Sequence, residues 1–313
     1  MKALRIGTRG SALALWQANH VREALETTCG LSAEIVIIKT SGDQFTAMPV
    51  EQIGVIGVFT KELEDALLDG RADLAVHSMK DVPTEISEAC ELRTIFERED
   101  PRDALVSFRG ETLEKLPYGA RIGTSSLRRA SQLRLFRPDF EIVELRGNVD
   151  TRLRKLAAGE YDAIVLARAG IDRLGYSAKI AEVIAPETIL PAVGQGALGV
   201  EFLRSREAEF RGIERLTDAD TTHAVKAERA LLAEVQGGCR LPLGAWARIE
   251  NDELVLDACV LSLDGSESIR RRRAKKCASA SDAESLGRDV AGELLGAGAD
   301  RLLHLAGKSV GRI

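Results

Sequence analysis

Apolar and polar positions switch repeatedly between a two-residue and a helical period along the first two-thirds of the chain. Leu4-Arg5-Ile6-Gly7-Thr8 reads as a short strand. Ser11 stands where it can cap a helix running through Leu15, Trp16, Val21 and Leu25 and closing near Gly30. Ala33 to Lys39, with Ile35-Val36-Ile37-Ile38, reads as a buried strand, and a glycine-rich loop spans Ser41 to Gly57. The apolar positions 59, 63, 66 and 67 predict a helix from Phe59 to Leu68, closed by Gly70 and followed by a strand at Asp73-Leu74-Ala75-Val76-His77. A βαβα order implies a mostly parallel sheet.

The plan repeats after Asp100-Pro101-Arg102-Asp103. Arg121 to Thr124 reads as a strand, and Ser125 or Ser126 can cap a helix to Phe136, stopped by Pro138. Glu141–Leu145 is a predicted strand, Val149–Ala158 a helix ended by Gly159, and Asp162–Leu166 a strand. Two echoes link the halves. Arg5-Ile6-Gly7-Thr8 matches Arg121-Ile122-Gly123-Thr124, and Gly70-Arg71-Ala72-Asp73 matches Gly159-Glu160-Tyr161-Asp162. Similar αβ units could produce this, but the echoes also predict two like domains facing a cleft.

Beyond Thr217-Asp218 the pattern changes. A helix over Thr221–Val235 precedes the turn Gly237-Gly238-Cys239, three strands (Leu243–Ile249, Leu254–Leu261, Ser268–Lys276) and a helix from about Ser281 to Leu295. The fold class expected is therefore α/β: two periplasmic-binding-protein-like αβ domains plus a small α+β C-terminal domain. Arg270 to Arg273 fall on the last strand and read as a solvated face.

At 313 residues the chain is long enough for two domains, or three if one is small. Hydrophobic residues at 45% and charged residues at 29% exclude a chain dominated by disorder, and no apolar run approaches the roughly 20 residues of a spanning helix. With no signal-like start at Met1-Lys2-Ala3-Leu4-Arg5, a cytoplasmic, membrane-free location is expected. The net charge of −5 argues against nucleic acid as partner. The basic residues are skewed, with 32 Arg against 11 Lys. Arg binds carboxylates bidentately, so the skew fits a ligand with many carboxylates as well as a GC-rich genome. The five Cys (29, 90, 239, 259, 277) form no Cys-x-x-Cys pair and the four His have no ligand spacing, so no metal is expected.

Four places carry candidate chemistry. In open α/β sheets ligands sit where strands end and helices begin, and free N–H groups there favour anions. Thr8-Arg9-Gly10-Ser11 and Thr124-Ser125-Ser126-Leu127-Arg128-Arg129 occupy two such positions, and capping with surface arginines is their plainer reading. His77-Ser78-Met79-Lys80-Asp81-Val82-Pro83 sets a cation beside an anion, either a loop ion pair or a ligand clamp. Arg146-Gly147-Asn148 precedes Arg152 on the next helix. Among the thiols, Cys239 stands out: two glycines expose it and Arg240 favours the thiolate.

These runs, with Phe59-Thr60-Lys61-Glu62-Leu63-Glu64, Glu97 to Ala104, Leu145 to Val149 and Leu190-Pro191-Ala192-Val193-Gly194-Gln195-Gly196, occur in the order found in the porphobilinogen deaminase (hydroxymethylbilane synthase) family, which the chain resembles from residue 5 to about 245. The resemblance implies three domains: 1–98 with about 197–216, 99–196, and 217–313, the last carrying the cofactor cysteine. It implies a transferase that condenses four porphobilinogen molecules into hydroxymethylbilane on a covalent dipyrromethane joined by thioether to Cys239. It makes Asp81 the catalytic residue. Ser78, Lys80, Asp81, Thr124, Ser126, Arg128, Arg129, Arg146 and Asn148 would bind the cofactor, and Arg9, Ser11, Arg146, Arg152, Arg173 and Gln195 the substrate. A monomer without an obligate protein partner is the family expectation. In this chemistry porphobilinogen loses ammonia to leave an azafulvenium cation, which a carboxylate at the pyrrole N–H stabilises.

One stretch departs from the family. Where it reads Gly-Gly-Lys-Gly-Leu-Phe, this chain has Gly54-Val55-Ile56-Gly57-Val58-Phe59, without the loop lysine. Two competing readings are a two-lobed anion receptor without catalysis, which leaves Gly-Gly-Cys and the third domain unexplained, and an acyl transferase using Cys239, which lacks a partner His.

Overall fold

Arg5 and Asp73 explain the first echo. The Arg5 backbone N–H and Nε donate to Asp73 Oδ2 at 2.8 and 3.0 Å, and Nη2 donates to Oδ1 at 2.8 Å. In the second half the Arg121 N–H and Nε donate to Asp162 Oδ2 at 2.8 and 3.4 Å. Each echoed Asp is thus the strand-start acid that ties down the echoed Arg of the neighbouring strand.

The computed structural model describes residues 3–40, 60–235 and 241–310. The Gly54–Phe59 departure and the Gly237-Gly238-Cys239 turn lie outside the described residues. In chain order, β1 (Leu4–Thr8), α1 (Ala12–Cys29), β2 (Ala33–Ile37), α2 (Lys61–Leu68), β3 (Leu74–Ser78) and β4 (Cys90–Ile95) come first. The second group is β5 (Asp103–Ser107), β6 (Arg121–Gly123), α3 (Leu127–Phe136), β7 (Glu141–Val143), α4 (Val149–Ala157), β8 (Ala163–Ala167), α5 (Arg168–Arg173) and β9 (Glu182–Val183). The chain then returns through β10 (Leu198–Leu203) and ends with α6 (Ala219–Glu234), β11 (Leu243–Glu250), β12 (Glu253–Leu261), β13 (Ser268–Lys275), α7 (Ala280–Gly296) and α8 (Ala299–Val310).

The two five-stranded sheets share one topology. The orders are β2-β1-β3-β10-β4 and β7-β6-β8-β5-β9. In each, the first three strands are parallel and the fourth runs antiparallel to its neighbours. The antiparallel strand of the first sheet arrives from the return segment, and that of the second from the entry segment. The third sheet, β11-β12-β13, is antiparallel and packs on α6 and α7 around Leu231, Leu256, Leu286 and Val290, all buried.

Four strands, β4, β5, β9 and β10, and the helices α5 and α8 were not anticipated by the periodicity. β10 reads Leu-Gly-Val-Glu-Phe-Leu and is buried nearly throughout, so it shows neither clean alternation nor an unbroken apolar run. The Arg270–Arg273 stretch lies on the edge strand β13, with Arg270, Arg272 and Arg273 exposed.

Two crossovers join the αβ lobes, one over 96–102 and one over 190–197. On the first, Phe96 adopts φ 62°, an unusual value for a bulky residue. On the second, Gly194 and Gly196 have φ of 69° and 89°, and a Cβ on Gly196 would lie 2.5 Å from the Glu99 carbonyl oxygen. Only glycine lets the two crossovers touch there. The third domain grips both. Glu228 on α6 accepts from Arg98 Nη1 at 2.6 Å, from the Gly194 amide at 2.6 Å and from the Ala247 amide at 2.7 Å.

Candidate active site

The loops after β1, β3, β6 and β7 each begin with a capping or turn residue, and this fixes where their side chains go. Ser11 Oγ accepts from the Ala14 amide at 3.3 Å and caps α1. Ser126, rather than Ser125, caps α3 through the Arg129 amide at 3.4 Å, while Ser125 Oγ donates to the Leu145 carbonyl at 2.7 Å. Thr124 Oγ1 accepts from the Ser126 amide at 3.2 Å. Asn148 is the exposed N-cap residue of α4.

In the first lobe a cavity of about 60 Å³ is lined by Arg9, Ser11, Gln17, Ser78 and Asp81, among others. Gln17 Nε2 donates to Ser78 Oγ at 2.9 Å. Asp81 ends a short 3-10 turn and is exposed at the mouth. Lys80 beside it is pushed down to about 8, by burial first and then by Arg129 and Arg128, although Asp81 and Asp103 act the other way.

In the second lobe Arg128 and Arg129 are buried, 4% and 6% exposed, which excludes the surface-arginine reading. Arg128 Nη1 donates to Asp103 Oδ2 and to the Leu190 carbonyl, both at 2.7 Å. Arg129 Nη2 donates to Asp103 Oδ1 at 2.7 Å and Nη1 to the Val165 carbonyl at 3.0 Å. Burial alone would raise the Asp103 carboxyl, but the two guanidinium groups override it and hold the acid well below the usual carboxylate range. Arg152 Nε donates to the Gly147 carbonyl at 2.7 Å. Its pKa is pushed down to about 10 by burial and by Arg129, against the pull of Asp81.

These electrostatic couplings bring Lys80, Asp81, Arg128, Arg129 and Arg152 together across the lobes. Four cations meet two acids, Asp81 and Asp103. Other predicted residues are engaged nearby. Arg146 Nε donates to Glu144 at 2.7 Å. Arg173 Nε donates to Glu99 at 3.0 Å and Nη2 to the Gly196 carbonyl at 2.9 Å, so it braces the crossovers. Gln195 Nε2 donates to Asp103 Oδ1 at 2.9 Å, while its Oε1 is buried without a partner among the described residues. Asp103 was missed by sequence reasoning. Its signal lay in Glu97 to Ala104, where an acid opens a buried strand.

Among the described residues these cations outnumber the two acids, and the buried Gln195 Oε1 beside them has no partner, which fits a ligand that carries several carboxylates and polar N–H groups. Two like lobes presenting such strand ends, joined to a third domain, define a bilobal α/β protein of the polyanion-holding class. Two family models cover most of the chain: "Porphobilinogen deaminase, dipyromethane cofactor binding domain" over residues 4–211 and "Porphobilinogen deaminase, C-terminal domain" over 222–296. The chain is 48% identical over 305 residues to the porphobilinogen deaminase of Syntrophobacter fumaroxidans, covering 97% of each, and 48% identical to that of Maridesulfovibrio salexigens, covering 97% of this chain and 98% of the relative. It belongs to the porphobilinogen deaminase family.

It is accordingly a transferase of tetrapyrrole biosynthesis that uses a dipyrromethane cofactor and forms hydroxymethylbilane. The receptor and acyl-transferase readings give way to this one. Among solved structures, the probable amino-acid ABC transporter extracellular-binding protein ytmK of Bacillus subtilis aligns at TM-score 0.42 and 12% identity, over 69% of this chain and 90% of that one. A periplasmic substrate-binding protein of Coxiella burnetii aligns at 0.41 and 15%, over 68% and 90%. The double-lobed fold itself rests on the shared strand order. No described helix is long and apolar enough to cross a membrane.

Proposed function

We propose that Asp81 is the catalytic residue and Cys239 the point of thioether attachment. Lys80, Arg128, Arg129 and Arg152 are the cations that hold cofactor and substrate carboxylates, and the substrate is porphobilinogen. The supporting observation is an exposed Asp81 whose charge acts on both Lys80 and Arg152, with Arg128 and Arg129 of the second lobe acting on Lys80 in turn. When bound, the dipyrromethane supplies the nucleophile, the free α-carbon of its terminal pyrrole. Everything else falls to the chain. Arg128 and Arg129, locked on Asp103, form a rigid shelf for the cofactor's acetate and propionate groups, with Ser78, Thr124, Ser126, Arg146 and Asn148 at its rim. Arg9, Ser11 and Arg152, with Arg173 and Gln195 behind them, receive the incoming ring. Each charge-assisted contact of this kind contributes about 2–5 kcal/mol when one partner is removed.

As the substrate's amino group leaves as ammonia, positive charge develops next to the pyrrole N–H. The Asp81 carboxylate is open to solvent, so it can stabilise that cation and then take up the proton released on rearomatisation. The 217–313 unit fits the role of cofactor carrier, since the Ala245 amide donates to the Pro191 carbonyl at 2.9 Å, one residue from the Leu190 carbonyl that receives Arg128. The units 1–98 with about 197–216 and 99–196 would be the two lobes, which fits the origin of the strands in each sheet. A cytoplasmic monomer without an obligate protein partner completes the reading.

Intact-protein mass spectrometry with Ehrlich's reagent tests it. Purified protein should exceed its sequence mass by one dipyrromethane and give the pyrrole colour, and Cys239→Ser should lack both and be inactive. A Cys239→Ser protein with full adduct and turnover would overturn the attachment.

A further inference from the structure

Strand register gathers three polar side chains on one face of the first sheet, away from the carboxylate shelf. Cys90 on β4 lies opposite Leu203 of β10, and Glu201, two residues from Leu203, lies opposite Ala75 of β3. His77 is two residues on from Ala75, so all three side chains share a face. That face packs under α2, whose Leu63, Ala66 and Leu67 join Cys90 and Ala75 in one apolar cluster. Glu64 of the same helix completes the group. The Cys90 sulfur and one carboxylate oxygen each from Glu64 and Glu201 lie within 4.8 Å of one another.

An apolar interior does not ordinarily retain such a set. Cys90 is 0% and Glu201 1% exposed. Glu201 Oε2 meets His77 Nε2 at 2.9 Å, but Glu201 Oε1 is buried with no partner among the described residues. Glu64 Oε1 accepts from the Ser87 amide, which steadies the helix-borne carboxylate. Buried polar atoms are nearly always paired, and an orphaned carboxylate oxygen beside a sulfur and a second carboxylate calls for a cation.

We propose that Cys90, Glu201 and Glu64 form a divalent metal site of the zinc class, with His77 as the outer partner that orients Glu201. One sulfur and two carboxylates suit a borderline-soft ion, whereas calcium and magnesium take oxygen ligands in larger number. Bonds of about 2.0–2.3 Å to a tetrahedral ion are compatible with ligand atoms that lie within 4.8 Å of one another. A free Cys thiol, with an ordinary pKa of about 8.5, is mainly protonated near neutral pH. Binding therefore forms a metal–sulfur bond, breaks the S–H bond and releases one proton to the buffer, with no change of oxidation state. The ion would tie β4, β10 and α2 together beside β3, whose end carries Ser78 and leads to Asp81. The site does not depend on the roles assigned to Asp81 and Cys239.

The test strips the holoenzyme with a chelator and titrates it with Co²⁺ alone. One equivalent should give the thiolate-to-cobalt absorption and the visible bands of a tetrahedral ion, and Zn²⁺ should bleach both. Cys90→Ser should lose the thiolate band and at least tenfold in Zn²⁺ affinity, and His77→Gln should keep the band but bind about 10- to 100-fold more weakly. A Cys29→Ser/Cys277→Ser double variant should behave as wild type, since those thiols sit at the Gly212 and Ser279 carbonyls. X-ray absorption on zinc-loaded wild type needs no variant to fold and should show one sulfur with oxygen neighbours. Absence of saturable Co²⁺ and Zn²⁺ binding by folded protein, a thiolate band that survives Cys90→Ser, or a zinc shell without sulfur would each overturn the site.

Discussion

The two αβ lobes share strand order, strand directions and the Arg–Asp tie at the strand start, yet they present opposite kinds of wall. In the second lobe the arginines after β6 are buried and locked on a buried acid, Asp103. In the first lobe the strand after α2 leads through a short turn to Lys80 and an exposed Asp81, beside a small polar cavity. One scaffold thus yields a rigid cationic shelf and a solvent-facing acid. Moving the acid indoors converts it from a reagent into a support, because a buried carboxylate held by two guanidinium groups can no longer exchange protons near neutral pH.

The largest expected effect breaks the first wall. Asp81→Asn keeps size and removes charge, so turnover should fall by about 10²–10⁴-fold with the melting temperature and cofactor content unchanged. Asp81→Glu should retain partial activity. Rates normalised to cofactor content decide it, and an Asn variant turning over at the wild-type rate would remove Asp81 from the chemistry.

Asp103→Asn should do the reverse and act first on stability. It leaves two buried guanidinium groups without their acid, a loss of about 3–5 kcal/mol in urea unfolding. The pH dependence has a defined sign. Because the folded-state pKa of Asp103 is depressed, its contribution is present above the unfolded value of about 3.9 and is lost as pH falls towards the folded value. Wild type should therefore lose stability below about pH 4 more steeply than Asp103→Asn does.

The smallest effect sharpens what the lobes have in common. Ser11 and Ser126 cap equivalent helices through equivalent bonds, so Ser11→Ala and Ser126→Ala should each cost about 1 kcal/mol in thermal melts. A large difference between them would mean that one serine also carries ligand-binding weight.

Legibility in the sequence followed the range of the interactions. The αβ alternation, the capping serines and the Arg–Asp echo are local or periodic, and they could be read directly. So could the placement of Lys80 and Asp81 just past a strand, and of Arg128, Arg129 and Arg152 in the first turns of the helices that follow. Asp103 could not, because its meaning depends on Arg128 and Arg129 some 25 residues away, and β10 could not, because buried Glu201 interrupts its apolar pattern. The Cys90, Glu64 and Glu201 cluster has no spacing motif at all. Helix α2 and strands β4 and β10 assemble it, so a search for Cys-x-x-Cys or paired His passes over it.

The position of β10 also dictates the order in which the chain can be completed. β10 lies between β3 and β4, so β4 has no partner in its sheet until residues 198–203 have been made. The strands of the second sheet all lie between Asp103 and Val183 and need nothing synthesised later. During translation, therefore, the middle lobe can close first. The N-terminal lobe waits as an open parallel sheet with an unpaired edge, exposed to misassembly until the return strand leaves the ribosome and is inserted.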